Sequence, residues 1–279
     1  MMKHKKVILG AVVLSAVLLT LMIGGTLAYF TVYDSVDNNL TIGNVNIVLT
    51  EPEFPEEPES RIIVPFSTIP KDPQVTNVGK NNAFVFIRLT VPKGEIEPVN
   101  DDGSLKYPDS VTFTDGVRSS RTEIAELFRL VSDDPVSGRA ALTEPAGIDA
   151  DTAQLYDSDW YLLPNIDYDK NWYLIDKTES ASENTYVFAY NKALPSASNA
   201  ASPTDTQSTP IFNGVKLAYF VEDETMYQSP DTISVNAYAI QSDDLLDSGD
   251  LVTADLNQNA PEVWQLKRIF EYFSNQTGV

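Results

Sequence analysis

Hydrophobic and polar residues alternate along several stretches of this chain with a period of two, which is the period of a β-strand. In GNVNIVLT (43–50), Val45, Ile47 and Leu49 share one face, and the asparagines between them take the other. The alternation recurs in four further stretches: 82–92, 185–190, 215–221 and 233–239. Pro, Gly, Asn and Asp separate these stretches, and the pattern predicts a mainly-β, antiparallel β-sandwich. Because both faces of NAFVFIRLTVP (82–92) begin apolar, this stretch is predicted to be a central strand.

A near-duplication lies in the middle of the chain. DWYLL (159–163) and NWYLI (171–175) flank the polar PNIDYDK (164–170), and the arrangement predicts two strands of a hairpin. Two interpretations of their aromatic residues remain open. They are cross-strand pairs and core residues, or they form a platform on which a sugar stacks. The platform would consist of Trp160, Tyr161, Trp172 and Tyr173.

A few peripheral helices are predicted beside the sandwich. Ser120–Glu123 is a capping box, and Ile124, Leu127, Phe128 and Val131 follow at helical spacing. A second helix is predicted from Pro261 to Phe273, since proline is favoured in the first turn.

Two segments lack periodicity. The acidic, proline-rich EPEFPEEPES (51–60) is predicted to be an extended, solvated connection, and 195–210 a small polar loop. Neither segment marks a domain boundary, so residues 29–279 are predicted to form a single β-sandwich domain.

The N-terminus has the three parts of a secretory signal peptide. Three lysines precede an apolar run of 17 residues (7–23), and small residues follow up to Ala28. Cleavage is predicted between Ala28 and Tyr29, after a signal-peptide helix in residues 1–28. The alternative is an uncleaved membrane anchor, although the run is shorter than the roughly 20 residues that span a bilayer.

Removal of residues 1–28 leaves 16 Lys and Arg against 40 Asp and Glu, a net charge of −24. Such a charge keeps a protein soluble and repels nucleic acids, so nucleic-acid binding is not expected. Contact with a membrane is expected only through the uncleaved leader. Because the chain has no cysteine, an exported form must be stabilised by its core alone.

Histidine is limited to His4, within the leader. Without His or Cys, the mature chain has no means to build a Ser-His-Asp or Cys-His triad or a zinc site of the usual ligands. Hydrolysis by a pair of carboxylates, as in glycosidases, remains chemically possible, but no spacing in the sequence marks a particular pair. The sequence therefore predicts a protein that is not an enzyme.

Calcium is the one cofactor that the residues suggest. Asp167, Asp169 and Asn171 occupy positions 1, 3 and 5 of a calcium-binding loop. The match then fails, because position 6 is Trp172 instead of Gly and position 12 is Thr178 instead of Glu. The segment is a weak calcium candidate or an ordinary hairpin turn, and no other cofactor is expected.

Several motifs together resemble the TasA/camelysin family. They are GGTLAYF (24–30), LTIGNVNIVLTE (40–51), IPKDPQVTNVGKNNAFVFIRLTVP (69–92), TYVFAYNKAL (185–194), STPIFNGVKL (208–217) and ISVNAYAIQSDDL (233–245). The resemblance implies a jelly-roll-like β-sandwich and secretion through a SipW-type signal peptidase. It also implies a structural role in biofilm-matrix fibres, a spore coat or a cell surface. One departure is Ile69–Asp72, where relatives commonly have a Pro-Gly turn.

The resemblance also implies how subunits would join. TasA-like subunits donate an N-terminal strand to the neighbouring sandwich, and here residues 29–36 would be that strand. Its β-prone core consists of Tyr29, Phe30, Thr31, Val32 and Tyr33. The alternative is an ordinary first strand or a disordered terminus.

The leading hypothesis is therefore a secreted structural subunit that self-assembles into a homo-oligomer or fibre. A secreted camelysin-like protease is one alternative, but any metal would need oxygen ligands, which suit calcium better than catalytic zinc. A carbohydrate-binding surface adhesin that uses the two WYL segments is the other.

Overall fold

The computed structural model describes residues 40–42, 44–57, 67–100, 102–115, 117–137, 160–218, 220–221, 232–243, 245 and 256–279. Strands make up 41% and helices 13%, so the predicted mainly-β class is confirmed. The strands are β1 (Leu40–Ile42), β2 (Ile47–Thr50), β3 (Ile69–Pro70), β4 (Gln74–Asn77), β5 (Ala83–Ile96), β6 (Thr112–Thr114), β7 (Val117–Ser119), β8 (Glu123–Glu126), β9 (Phe128–Val131), β10 (Trp172–Glu179), β11 (Glu183–Tyr190), β12 (Gly214–Leu217) and β13 (Ser234–Gln241). The described residues contain one α-helix, α1 (Val263–Thr277), and short 3-10 turns at Pro108–Ser110 and Pro203–Thr206.

The main sheet has the strand order β1-β13-β5-β11-β10. Its neighbours are antiparallel except β1, which runs parallel to β13. β8 continues the sheet beside the far end of β5, where Lys93–Ile96 pairs with Glu123–Glu126. The 14-residue β5 thus lies between β13 and β11, and its predicted central position is confirmed.

A second layer covers one face of the main sheet. It consists of the three-stranded β3-β12-β9 and the pair β2-β4, while β6 and β7 form a separate two-stranded ribbon. The odd-numbered residues of β5, Val85 to Val91, are buried between the layers with Ile47 of β2 and Val215 of β12. This packing is the predicted β-sandwich.

Helix α1 covers part of the opposite face of the main sheet. Its Leu266, Ile269 and Phe273 are fully buried against a second core cluster that includes Phe84 and Phe86 of β5. The helix ends at Gly278, whose φ of 73° is the left-handed conformation that glycine adopts at little cost. The helix predicted from Pro261 to Phe273 is therefore confirmed, and it explains why both faces of β5 begin apolar.

The helix predicted after Ser120 is wrong. Residues 123–126 and 128–131 are the strands β8 and β9, joined at Leu127, whose N–H donates to Pro92 O at 3.0 Å. Phe128 and Leu130 are buried in the period of a strand, whereas Ile124, which would have faced the core from a helix, is 54% exposed. β8 pairs with the edge of β5, and the backbone hydrogen bonds of this pairing outweigh the tendency of the apolar spacing to form a helix.

The hairpin predicted from the two WYL segments is also wrong. Residues 172–179 pair with β11, beginning at Trp172 opposite Tyr190, and residues 160–163 form no strand. The short connection 180–182 decides this pairing, since Ser180 N donates to Glu183 O at 2.9 Å and closes a hairpin with the next strand in sequence.

The two segments without periodicity are more ordered than predicted. Residues 51–57 form turns instead of an extended solvated connection, and the Glu51 side chain is only 4% exposed. Within 195–210, Ser208 N donates to Val75 O at 2.8 Å, and Ser208 Oγ accepts from Val75 N at 3.0 Å. This loop is therefore fastened to β4 beside the sandwich.

Candidate functional site

The two edges of the main sheet differ in how they are covered, and the edge at β13 is the candidate site. β1 pairs only with Tyr238–Ile240, whereas β13 pairs with β5 along its whole length. Within the described part of the chain, no strand pairs with Val235–Ala237 on the side away from β5. This segment, which we call the β13 edge, has the geometry that accepts an added strand.

The side chains of the β13 edge suit such an addition. Val235 and Ala237 are buried in the core between the layers, so they fix the strand in place. Asn236 is half-buried, and its Nδ2 donates to Ser234 Oγ at 3.0 Å. None of these three edge residues carries a charge, and charges are one of the means by which sheet edges resist association.

β1 runs parallel to β13, with Leu40 opposite Tyr238 and Ile42 opposite Ile240. Leu40, the first residue of β1, therefore lies at the end of the paired stretch that borders Ala237 and the β13 edge.

The residues predicted for cleavage and strand donation lie outside the described residues. They are Ala28, Tyr29, Phe30, Thr31, Val32 and Tyr33.

The opposite edge of the main sheet, at β10, is covered. Trp160 packs against both core clusters, which lie on opposite faces of the sheet, so its ring passes around the edge. Lys177 of β10 places its Nζ 5.0 Å from the centre of that ring. A β-bulge between Leu174 and Asp176 also interrupts the regular ladder. A covering aromatic ring, a bulge and charged residues are devices that protect sheet edges.

The predicted aromatic platform is divided between core and surface. Trp172 is fully buried, and its Nε1 donates to Thr209 O at 3.1 Å, which confirms the structural interpretation of this residue. Trp160 and Tyr173 are half-buried against the core clusters. The Tyr161 carbonyl accepts from the Tyr168 hydroxyl at 2.8 Å.

The calcium candidates lie in a turn with its own hydrogen bonds. Asp169 is buried, and its Oδ1 accepts from Asn171 N at 2.9 Å and from Thr209 Oγ1 at 2.7 Å. Asp167 is exposed and Asn171 half-buried. Among the described residues, no group of three or more His, Cys, Asp or Glu is arranged to hold a metal ion.

A buried polar cluster, which sequence reasoning missed, lies between β8 and β11. Tyr186 donates its hydroxyl to Glu126 Oε1 at 2.5 Å, and Asn184 Nδ2 donates to the same oxygen at 2.9 Å. Burial, together with the Glu126 carboxylate, raises the pKa of Tyr186 above its ordinary range, so the hydroxyl stays protonated and donates. No sequence signal marks this cluster, because Glu126 comes close to β11 only through the pairing of β8 with β5.

A second missed pair is Lys71 with Glu51. Lys71 Nζ lies 2.7 Å from Glu51 Oε2, and the two side chains are 0% and 4% exposed. Buried charges of this kind are rare unless paired. The sequence places both residues in polar segments, which gives no indication of burial.

A groove of about 420 Å³ lies between α1 and β10. It is lined by Ile175, Asp176, Lys267, Phe270, Glu271, Ser274 and Asn275. Its charged residues have both signs, so it favours no single class of ligand.

Comparison with known proteins gives no match to a family model, to a curated protein or to a solved structure. The resemblance to the TasA/camelysin family, and all that it implies, stays a prediction. No helix in the described ranges is long and apolar enough to cross a membrane.

Proposed function

We propose that this protein is a secreted structural subunit of an extracellular fibre or of the cell or spore surface, which assembles by strand donation. Cleavage after Ala28 by a SipW-type signal peptidase would release the chain with Tyr29 at its N-terminus. The segment Tyr29–Val36 would then pair with the β13 edge of the next copy. The observation that supports this proposal is the unequal covering of the two sheet edges.

The position of β1 supports strand addition at this edge. Leu40 lies at the end of the paired stretch that borders Ala237, so a strand added beside Val235–Ala237 would continue the line of β1. Backbone hydrogen bonds would supply the affinity, and β-branched and aromatic residues of the donor would add side-chain packing.

The charge of the chain sets a condition on assembly. A mature charge of −24 makes copies repel one another, whereas backbone pairing at an uncharged edge is insensitive to salt. Added salt, which shortens the Debye length to about 8 Å at 0.15 M, should therefore promote fibre formation. Assembly driven by ion pairs would instead weaken with salt.

Truncation tests the proposal. Purified residues 29–279 should form fibres visible by electron microscopy, whereas residues 37–279 should stay monomeric with unchanged circular dichroism. Fibres of the truncated form, at the same rate and yield, would contradict strand donation.

A matched pair of substitutions removes the objection that truncation changes chain length. Val32→Pro abolishes strand character in the donor, while Val32→Ile keeps it. We expect Val32→Pro to suppress assembly and Val32→Ile to preserve it. Equal assembly of the two variants would exclude residue 32 from the donated strand.

N-terminal sequencing of material from the culture medium tests the first step. A start at Tyr29 supports release by cleavage after Ala28. Recovery of the uncleaved chain in the membrane fraction would support the anchored alternative. It would also contradict donation of a strand that begins at a free Tyr29.

A further inference from the structure

The buried pair of Lys71 and Glu51 lies in an unusual setting for two charges. Lys71 follows β3, and its Nζ is 2.7 Å from Glu51 Oε2, just after the end of β2. The ring of Phe54 lies over the same Nζ, with its centre 4.6 Å away. The ammonium group is thus enclosed by a carboxylate and an aromatic face, and its side chain is wholly shielded from solvent.

Burial makes both charges of this pair costly. Desolvation of an ammonium and a carboxylate is unfavourable, and the cost falls when a proton passes between them. A nucleophile held in contact with its target has an effective molarity of roughly 10⁵–10⁸ M when the two are well oriented. Lys71 Nζ is held in such contact, 2.7 Å from Glu51 Oε2.

We propose that Lys71 and Glu51 are a modification site, at which an intramolecular isopeptide bond forms without an added enzyme. Within the ion pair, Lys71 Nζ gives a proton to the Glu51 carboxylate. The Nζ lone pair then attacks Glu51 Cδ, the C–N bond forms, the C–OH bond breaks and one water leaves. A second Nζ proton passes to the departing hydroxyl, so the net reaction is ammonium plus carboxylate to amide plus water.

Such a bond would act as a covalent staple. It joins positions 20 residues apart in a chain that has no cysteine and hence no disulfide. The closed loop includes the connection between β2 and β3, so the bond would tie the first strand of the second layer to the sandwich core. Cross-links of this kind stabilise mainly by restricting the unfolded chain. The inference is independent of strand donation.

Mass spectrometry of the purified wild-type protein is the test. The intact mass should be lower, by one water, than the mass of the residues found by N-terminal sequencing. Trypsin should leave Lys71 uncut and yield a branched product, in which the peptide ending at Arg61 is joined to residues 62–80. An intact mass equal to the sequence mass, with separate peptides cut after Lys71, would overturn the proposal. Loss of water within another peptide would overturn it equally.

Lys71→Arg separates the bond from the ion pair. It keeps the positive charge but removes the nucleophilic amine, so it should restore the full sequence mass. Water loss in Lys71→Arg would exclude Lys71. Because the peptide map of the wild-type chain needs no variant, the test stands even where a variant fails to fold.

Discussion

The two edges of the main sheet, at β10 and at β13, differ in how they are covered. At β10, Trp160 crosses the edge and contacts both core clusters, and a bulge breaks the ladder. At β13, the described part of the chain covers the outer side of an eight-residue strand with only the three residues of β1, and it provides no strand partner there for Val235–Ala237. One edge is protected against added strands, and the other retains the features that accept one.

Under the proposed strand donation, this difference would give assembly a direction. A sheet with two open edges would aggregate at both, whereas a sheet with one protected and one accepting edge adds strands at a defined place. If residues 29–36 are the donated strand, each copy has one donor and one acceptor. Contacts between a donor and a different surface on the next copy generate open filaments.

The largest expected effect comes from removing the cover of the β10 edge. Trp160→Ala should cost about 2–3 kcal/mol of unfolding free energy, less than the full range for a wholly buried Trp because Trp160 is half-buried. It should also cause association that increases with concentration, since β10 becomes accessible. Urea unfolding and sedimentation velocity measure the two effects.

Leu162→Ala is the matched control, because Leu162 belongs to the same segment but is 46% exposed. It should change the unfolding free energy by no more than about 0.5 kcal/mol. Equal effects of the two variants would show that Trp160 does not protect the edge.

An intermediate loss of unfolding free energy is expected at Tyr186 of β11, a strand that lies between the two edges. Tyr186→Phe removes the hydrogen bond to Glu126 and should cost about 1.5–3 kcal/mol at neutral pH, since the acceptor is charged and buried. It should leave assembly at either edge unaltered.

The pH dependence of the same variant sharpens this expectation. The pKa of Tyr186 is raised on folding above its ordinary 10.0, so the unfolded chain loses the proton first. The stability that this group contributes is present below pH 10 and is lost as the pH rises above it. Burial raises the pKa of Tyr190 and Tyr238 as well, so Tyr186→Phe should reduce the alkaline loss without abolishing it. An identical alkaline profile for wild type and variant would contradict the assignment.

The smallest effect is expected at Lys177, above the Trp160 ring. Lys177→Ala should cost about 0.5–1 kcal/mol through loss of the cation–π contact. Lys80→Ala, at an exposed position, serves as the control and should have no measurable effect on urea unfolding. A loss at Lys177 no larger than that at Lys80 would show that the ring alone covers the edge.

Alternation predicted the core of this fold well. The faces assigned to Val45, Ile47 and Leu49 and to the long strand β5 are the buried faces, because burial of one side of a strand imposes a period of two. The C-terminal helix was predicted from its proline and from apolar residues at helical spacing, since one face of the helix is buried.

The predictions that failed depended on contacts distant in sequence. Residues 123–131 carry apolar residues at helical spacing, but 123–126 pair with the edge of β5 and 128–131 pair with β12, and these pairings make them strands. The WYL segments resemble each other, but β10 extends to Glu179 and reaches β11 through a connection of only three residues, 180–182, which closes the shorter hairpin. The β13 edge itself was invisible in the sequence, since it depends on how far β1 extends along β13.

Cysteine cross-linking tests strand donation most directly, because the chain has no cysteine of its own. We expect oxidised Thr31→Cys/Asn236→Cys protein to form a ladder of dimers, trimers and higher oligomers on a non-reducing gel, since paired strands bring Cα atoms within the 4.4–6.8 Å that a disulfide needs. Thr31→Cys paired with Glu179→Cys at the β10 edge should give no ladder. A monomer with an internal disulfide between positions 31 and 236 would show that the segment closes its own sheet, and would contradict donation between copies.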